Sequence, residues 1–254
     1  MAIFLFLLGT IIGSFLNVCI HRIPKKESIV FPGSYCPSCS TPLKWYDLIP
    51  VLSFLFLKGK CRCCGERISP KYPTVELLNG IIFVMLFSKF GFNLDFIFYT
   101  FLFSLFIIIS FIDLDYQIIP NTMVLFILLV SMVYKILNLL LYSVPSNLVN
   151  SLIGLSLSGL IFLTILIVSK GGMGGGDVKL IGTLGFILGI PKIFINIFLS
   201  FLAGGIISVL LLVFKIKERK DPIPFGPFII LGFIITLFWG DKIINWYLVN
   251  FLLR

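Results

Sequence analysis

The chain has 254 residues, 59% of them hydrophobic and only 12% charged, which leaves too little polar surface to clothe a soluble globule of this length. Its formal net charge of +9 is accounted for by membrane topology and by attraction to anionic lipid, and no nucleic-acid partner is expected.

The apolar residues fall in blocks that are apolar on every side, and a helix of roughly 20 such residues crosses about 30 Å of hydrocarbon. Strands of a closed barrel would alternate apolar and polar positions, so an all-α, polytopic transmembrane bundle in a lipid bilayer is predicted. The spans lie near 2–20, 73–90, 96–112, 122–142, 148–169, 179–190, 193–214 and 226–250. The first has no basic start and no small-residue cleavage site, so it is read as a retained span rather than a secretory signal. The sixth is short, which leaves open a tilted or re-entrant segment, or one merged with its neighbour across Gly189-Ile190-Pro191.

Between the first two spans runs a polar segment carrying Arg22, Lys25, Lys26, Lys44, Lys58, Lys60, Arg62, Arg67 and Lys71. A second basic cluster, Lys215, Lys217, Arg219 and Lys220, follows the seventh span, whereas the loops 91–95 and 143–147 hold no Lys or Arg. Basic residues resist translocation, so about eight spans with the N-terminus outside place both clusters in the cytoplasm. The chain thus divides into residues 1–72, a span plus a cytoplasmic loop domain, and residues 73–254, a transmembrane bundle.

The loop contains Pro24, Pro32, Pro37, Pro42, Pro50 and Pro70, which argues against long helices within it. Cysteines are the candidates for holding it together. Cys36-Pro37-Ser38-Cys39 and Cys61-Arg62-Cys63-Cys64 form two C-x-x-C knuckles about twenty residues apart, a spacing suited to one tetrahedral zinc held by four thiolates. In the reducing cytoplasm metal binding outranks disulfides. A redox C-x-x-C and unligated structural cysteines are the alternatives, and Cys63 competes with Cys61 and Cys64 as a ligand.

A carboxylate in a membrane span is costly unless solvated, paired or neutral, so each is a functional candidate. Asp95 and Asp241 fall at span ends, and Glu27, Asp47, Glu66, Glu218 and Asp221 in cytoplasmic segments, leaving Glu76, Asp113, Asp115 and Asp177. Asp113 ends the third span and Asp177 begins the sixth, after Gly172-Met173-Gly174-Gly175-Gly176. The fourth and fifth spans form an out-and-back hairpin, so both aspartates return to one membrane edge. Two carboxyls sharing a proton can activate a water while protonating a peptide group, the equipment of an aspartyl protease. Gly174, Gly175 and Gly176 let the backbone approach an extended substrate and adopt positive φ. The start of the sixth helix favours an ionised Asp177, and the end of the third disfavours charge on Asp113.

Gly13-Ser14-Phe15-Leu16-Asn17-Val18 before His21-Arg22-Ile23-Pro24, the paired knuckles, Pro73-Thr74-Val75-Glu76-Leu77, Asp113 seven residues before Pro120-Asn121, and the Gly-Gly-Gly-Asp run ending at Asp177 resemble the bifunctional type IV prepilin peptidases, the GxGD-type membrane aspartyl proteases. The resemblance runs from Gly13 to about Pro227. It implies cleavage of the leader of prepilins and pseudopilins at the cytoplasmic face of the bacterial inner membrane, then methylation of the new N-terminal amine from S-adenosylmethionine. It also matches Asp113 and Asp177 to the two catalytic aspartates, in preference to Asp115, and associates the zinc loop with methylation. Cys63 departs from the pattern. Glu76 is placed to contact the leader or the freed amine, and Asn17 and His21 to shape the methylation site, with interfacial snorkelling or loop anchoring as the plainer roles. Two other functions compete. One is a peptidase without methylation, since no glycine fingerprint for a nucleotide follows a strand. The other is a proton- or cation-coupled transporter, whose carboxylates would sit nearer the midplane. Oligomeric state and the individual pilin substrates are not encoded in any of these patterns.

Overall fold

A computed structural model describes residues 1–142, 147–170, 172–218 and 221–252. Gly171, Arg219, Lys220 and most of the loop 143–147 lie outside the described residues. Regular structure among the described residues is helical, with two isolated β-bridges in the cysteine loop.

The helices are α1 (Ala2–Arg22), a 3₁₀ turn (Trp45–Leu48), α2 (Leu52–Phe56), α3 (Lys71–Phe90), α4 (Leu94–Tyr116), α5 (Asn121–Tyr142), α6 (Leu148–Val168), α7 (Gly175–Leu188), α8 (Lys192–Val213) and α9 (Gly226–Tyr247), followed by a π-helical turn, Leu248–Leu252. Among the described residues seven helices are long and apolar enough to cross a membrane, and the chain is a multi-pass membrane protein. The element at the sixth predicted span is α7, whose 14 residues extend only about 21 Å at a rise of 1.5 Å per residue. It does not merge with α8. Gly189 ends it at φ +64°, a left-handed value that favours glycine, and a cis Ile190–Pro191 bond precedes α8.

Packing divides the chain into two compact units, Met1–Ile112 and Asp113–Arg254. In the first unit α1 and α3 run antiparallel, with Gly9 against Gly80 and Gly13 against Glu76 so closely that a methyl group on either Gly9 or Gly13 would overlap the opposing backbone. Asn17 Nδ2 donates to the Tyr72 carbonyl at one end of this pair, and buried Asn79 Nδ2 donates to the Gly9 carbonyl farther along. Ser104 of α4 donates to Asn79 Oδ1, so the buried amide is satisfied on both sides.

In the second unit α7 lies antiparallel to α6. Gly154 meets Gly185 backbone to backbone, Ser158 Oγ donates to the Ile181 carbonyl, and Asn150 exchanges two hydrogen bonds with Ile190. Along α5, α7 runs parallel, with Lys179 Nζ on Asn121 Oδ1 and Lys135 over the Phe186 ring. Thus α7 traverses the unit in the sense expected of the sixth span despite its length. Helices α8 and α9 are antiparallel, joined where Asn196 and Ser200 crowd Gly232 and where Lys192 pairs with Asp241 at 2.9 Å.

Candidate active site and metal centre

Asp113 lies one turn before the end of α4 and is buried, whereas Asp115, two residues on, is exposed. A helix turns about 100° per residue, so two neighbours two apart face different ways. Beyond Tyr116 the chain leaves the helix at Gln117, φ +55°, and crosses to α5 through Ile118-Ile119-Pro120. That connecting segment brings Ile119 against the start of α7. A Cβ on Gly176 would stand 2.8 Å from Ile119 Cβ, so glycine is required there for close approach.

Asp177 occupies the third position of α7, buried at 7% exposure. Its Oδ2 accepts the Gly174 N–H at 3.2 Å, capping its own helix, while its Oδ1 is buried without a partner among the described residues. Asp113 Oδ2 accepts the N–H of Gly226 at 2.9 Å. Gly226 is the first residue of α9, and both carboxylates therefore sit at helix N-termini, where free N–H groups favour negative charge. The expected contrast between an ionised Asp177 and a protonated Asp113 is narrowed for this reason: the α9 N-terminus offsets the unfavourable end of α4.

Ile119 ties the two helix entries together, standing against Gly176 beside Asp177 and against Gly226, whose N–H Asp113 accepts. Continuing the register set by Gly154–Gly185 and Ser158–Ile181 puts Asp177 level with about Phe162, roughly 9 Å inside the end of α6 at 1.5 Å per residue. Gly226 is as constrained as Gly176, since a Cβ there would meet Asp113 Oδ2 at 2.7 Å and Ile119 Cδ1 at 3.2 Å. Ile119 and Gly226 were not singled out from sequence. The run Pro224-Phe225-Gly226-Pro227 at the mouth of the last span was the available signal. Gly174, Gly175 and Gly176 do not adopt positive φ, so the left-handed backbone expected of them is corrected to an ordinary helix entry. Gly175 has open space where its side chain would be.

In the first unit the two cysteine knuckles have the same backbone. The Cys36 N–H donates to the Thr41 carbonyl and Ser40 N–H returns to Cys36, while Cys61 N–H donates to Glu66 and Gly65 N–H returns to Cys61. The flanking bridges Tyr35–Pro42 and Lys60–Arg67 fall at matching positions. This equivalence aligns Cys61 and Cys64 with Cys36 and Cys39, and Cys63 with Ser38. The sulfurs of Cys36, Cys39, Cys61 and Cys64 all lie within 4.8 Å of one another, with Cys36 and Cys64 3.9 Å apart. Tetrahedral Zn–S bonds of about 2.3 Å would separate the sulfurs by about 3.8 Å, so the set fits zinc. Cys63 lies outside the cluster, exposed, with its Sγ 3.5 Å from the Thr41 hydroxyl. Hydrogen bonds from the Thr41 side chain and backbone hold the Cys39 thiol down to about 6. Backbone N–H groups of Cys64 and Cys63 lower Cys61 as well. Cys64 is pulled down by the Glu66 backbone, but desolvation and the thiols of Cys61, Cys39 and Cys36 outweigh that and push it up to about 12. Four sulfurs this close cannot all carry charge without a cation among them.

In the same unit lies a partly open cavity of about 650 Å³, lined among others by Asn17, His21, Tyr35, Asp47, Tyr72 and Glu76. Glu76, 8% exposed, does not join Asp113 and Asp177 in the second unit: its Oε2 accepts the Val51 N–H at 2.8 Å, and Ser14 hydrogen-bonds the same carboxylate.

Residues 7–90 match the bacterial peptidase A24 N-terminal domain and residues 100–209 the type IV leader peptidase family. A protein of Bacillus subtilis (strain 168) is 35% identical over 244 residues, covering 96% of each chain. One of Aeromonas hydrophila is 34% identical over 272 residues, with 97% of this chain and 93% of its own covered, and one of Pseudomonas aeruginosa 34% over 266, with 95% and 91%. Each carries the name prepilin leader peptidase/N-methyltransferase. No solved structure matches. With both of its segments matched and nearly its whole length shared with these relatives, the chain belongs to the type IV leader peptidase family.

Proposed function

We propose that the protein cleaves the leader peptide of type IV prepilins and pseudopilins at the cytoplasmic face of the bacterial inner membrane and methylates the new N-terminal amine. The observation that carries the first activity is the pair Asp113 and Asp177, buried, drawn from separate helices whose neighbouring entries both pack on Ile119, and each accepting a backbone N–H. Such a pair titrates as a unit. With one proton between them, the ionised carboxyl withdraws a proton from water as it attacks the scissile carbonyl. The protonated one donates to that carbonyl oxygen and then to the leaving amine. The buried Oδ1 of Asp177, without a partner among the described residues, is the acceptor left for the water. The open backbone at Gly175, beside Gly174 and Gly176, suits an extended peptide drawn over the start of α7. The basic segments on either side of the sequence favour a cytoplasmic location for this edge.

Zinc held by Cys36, Cys39, Cys61 and Cys64 would fix the fold of the loop domain and hence the walls of its cavity. That cavity falls in the usual size range for a small-molecule site, and its lining of aromatic rings and charged groups of both signs suits S-adenosylmethionine, which carries a carboxylate, an ammonium and a methyl group on a cationic sulfur. Cys36→Ser or Cys61→Ser is expected to lower zinc content of the purified protein at least about tenfold, whereas Cys63→Ser retains it. Elemental analysis checks this, and equal metal in all three variants removes the four-thiolate site.

The whole reading is tested by incubating the purified protein with a synthetic prepilin, with and without S-adenosylmethionine, and weighing the product. Loss of the leader in both samples and gain of one methylene only with the donor is the expected result. An intact prepilin in both would end the peptidase assignment.

A further inference from the structure

Three carboxylates line the cavity of the first unit: Asp47, Glu66 and Glu76. Asp47 is already neutralised, its Oδ1 held by the Arg62 guanidinium at 2.8 Å and its Oδ2 by the Lys44 backbone N–H. Glu66 is exposed to solvent. Glu76 alone is buried, and its hydrogen-bond partners, the Val51 N–H and Ser14, are both neutral. Of the basic residues that line the cavity, Arg22 is spent on the carbonyls of Ser28 and Gly33 and Arg62 on Asp47, and neither Lys44, which lies over the Tyr46 ring, nor Arg67 pairs with Glu76 among the described residues. A buried carboxylate without a counter-ion is costly, and a cationic ligand removes that cost. Its position is rigid. α1 touches α3 at Gly13, where a methyl group would stand 2.7 Å from Glu76 Cα, and Val51, at φ +62°, is turned to present its N–H.

Resting on the methyltransferase reading above, we propose that Glu76 binds the freed α-ammonium of the cleaved substrate in this cavity and accepts its proton. Of the two cations that reaction brings together, only the ammonium carries hydrogens to donate to a carboxylate, and only it must lose a proton to become a nucleophile. Once Glu76 has taken that proton, the amine lone pair attacks the methyl carbon and the carbon–sulfur bond breaks with its electron pair remaining on sulfur. The products are a secondary methylammonium and the neutral thioether S-adenosylhomocysteine. Glu76 then releases its proton to solvent through the open side of the cavity, which restores the carboxylate. In this scheme Asn17 is a positioning residue, since its amide ties α1 to the Tyr72 carbonyl one turn before Glu76.

The plainer role for Glu76 is to hold the Val51 loop by one hydrogen bond, and two substitutions separate the roles. Glu76→Gln keeps the length and the acceptor but not the charge, while Glu76→Asp keeps the charge on a shorter arm. Wild type and both variants, full length in detergent, are given synthetic prepilin and S-adenosylmethionine. Leader removal, methylation and S-adenosylhomocysteine binding by calorimetry are then measured. Glu76→Gln is expected to cleave and to bind S-adenosylhomocysteine within about twofold of wild type while methylating roughly 10³-fold more slowly. Glu76→Asp is expected to methylate faster than Glu76→Gln. The reverse order, or wild-type methylation by Glu76→Gln, overturns the proposal, as does joint loss of cleavage, methylation and binding in both variants. A wild-type protein that cleaves but never methylates overturns the underlying methyltransferase reading as well.

Discussion

Asn in place of either Asp113 or Asp177 is expected to slow leader cleavage by roughly 10³-fold, the size of effect that follows loss of a general acid or base. An amide is nearly isosteric with a carboxylate, and its oxygen can still accept the Gly226 N–H at position 113 or the Gly174 N–H at position 177. The helix entries at α9 and α7 therefore survive, and the loss reports chemistry rather than unfolding. What an amide cannot do is share a proton with its neighbour. For that reason the double variant is expected to be scarcely worse than either single one, since the acids act as a unit. Cleavage of synthetic prepilin followed by mass spectrometry measures all three. Normal processing by both single variants would remove the dyad from the mechanism. Asp115→Asn, at the exposed neighbour of Asp113, is expected to cleave within about threefold of wild type, as surface substitutions usually have small effects.

Gly226→Ala should come next in severity. The added methyl would stand 2.7 Å from Asp113 Oδ2, with Ile119 Cδ1 closing the other side at 3.2 Å. Asp113 is the group with room to yield, and a displacement near 1 Å of a catalytic carboxyl costs about 100-fold in rate. The accompanying strain is expected to lower stability by about 1–3 kcal/mol, the usual range for overpacking. Gly205→Ala supplies the control, because Gly205 lies in the middle of α8 with open space at its Cβ position. Cleavage by Gly226→Ala at the Gly205→Ala rate would show that Asp113 does not depend on the start of α9. Comparing thermal unfolding of the two in detergent separates a displaced acid from a melted helix.

The positions of the long helices followed from the sequence to within a few residues, because hydrocarbon demands continuous apolar stretches and their ends are local properties of the chain. The exception is instructive. The sixth block was short from the outset, and only its pairings with Asn150, Gly154, Ser158 and Asn121 show that 14 residues run the sense of a full span. The candidate acids Asp113 and Asp177 were visible for a related reason, since few carboxylates occur in such a chain and each is conspicuous.

What the sequence by itself determined is therefore whatever depends on composition and short spacing: a helical membrane protein, two cysteine knuckles and a small set of acids. The tertiary structure decided which acids are buried and what holds them. It drew Asp113 to the first N–H of α9, set Ile119 between Gly176 and Gly226, and placed Cys63 outside the thiol cluster by giving the second knuckle the backbone of the first. It also formed a cavity beside Glu76, whose carboxylate has no counter-ion among the described residues. Each of these joins residues far apart along the chain, and such contacts depend on the register of one helix against another, which packing sets and no local stretch of sequence specifies.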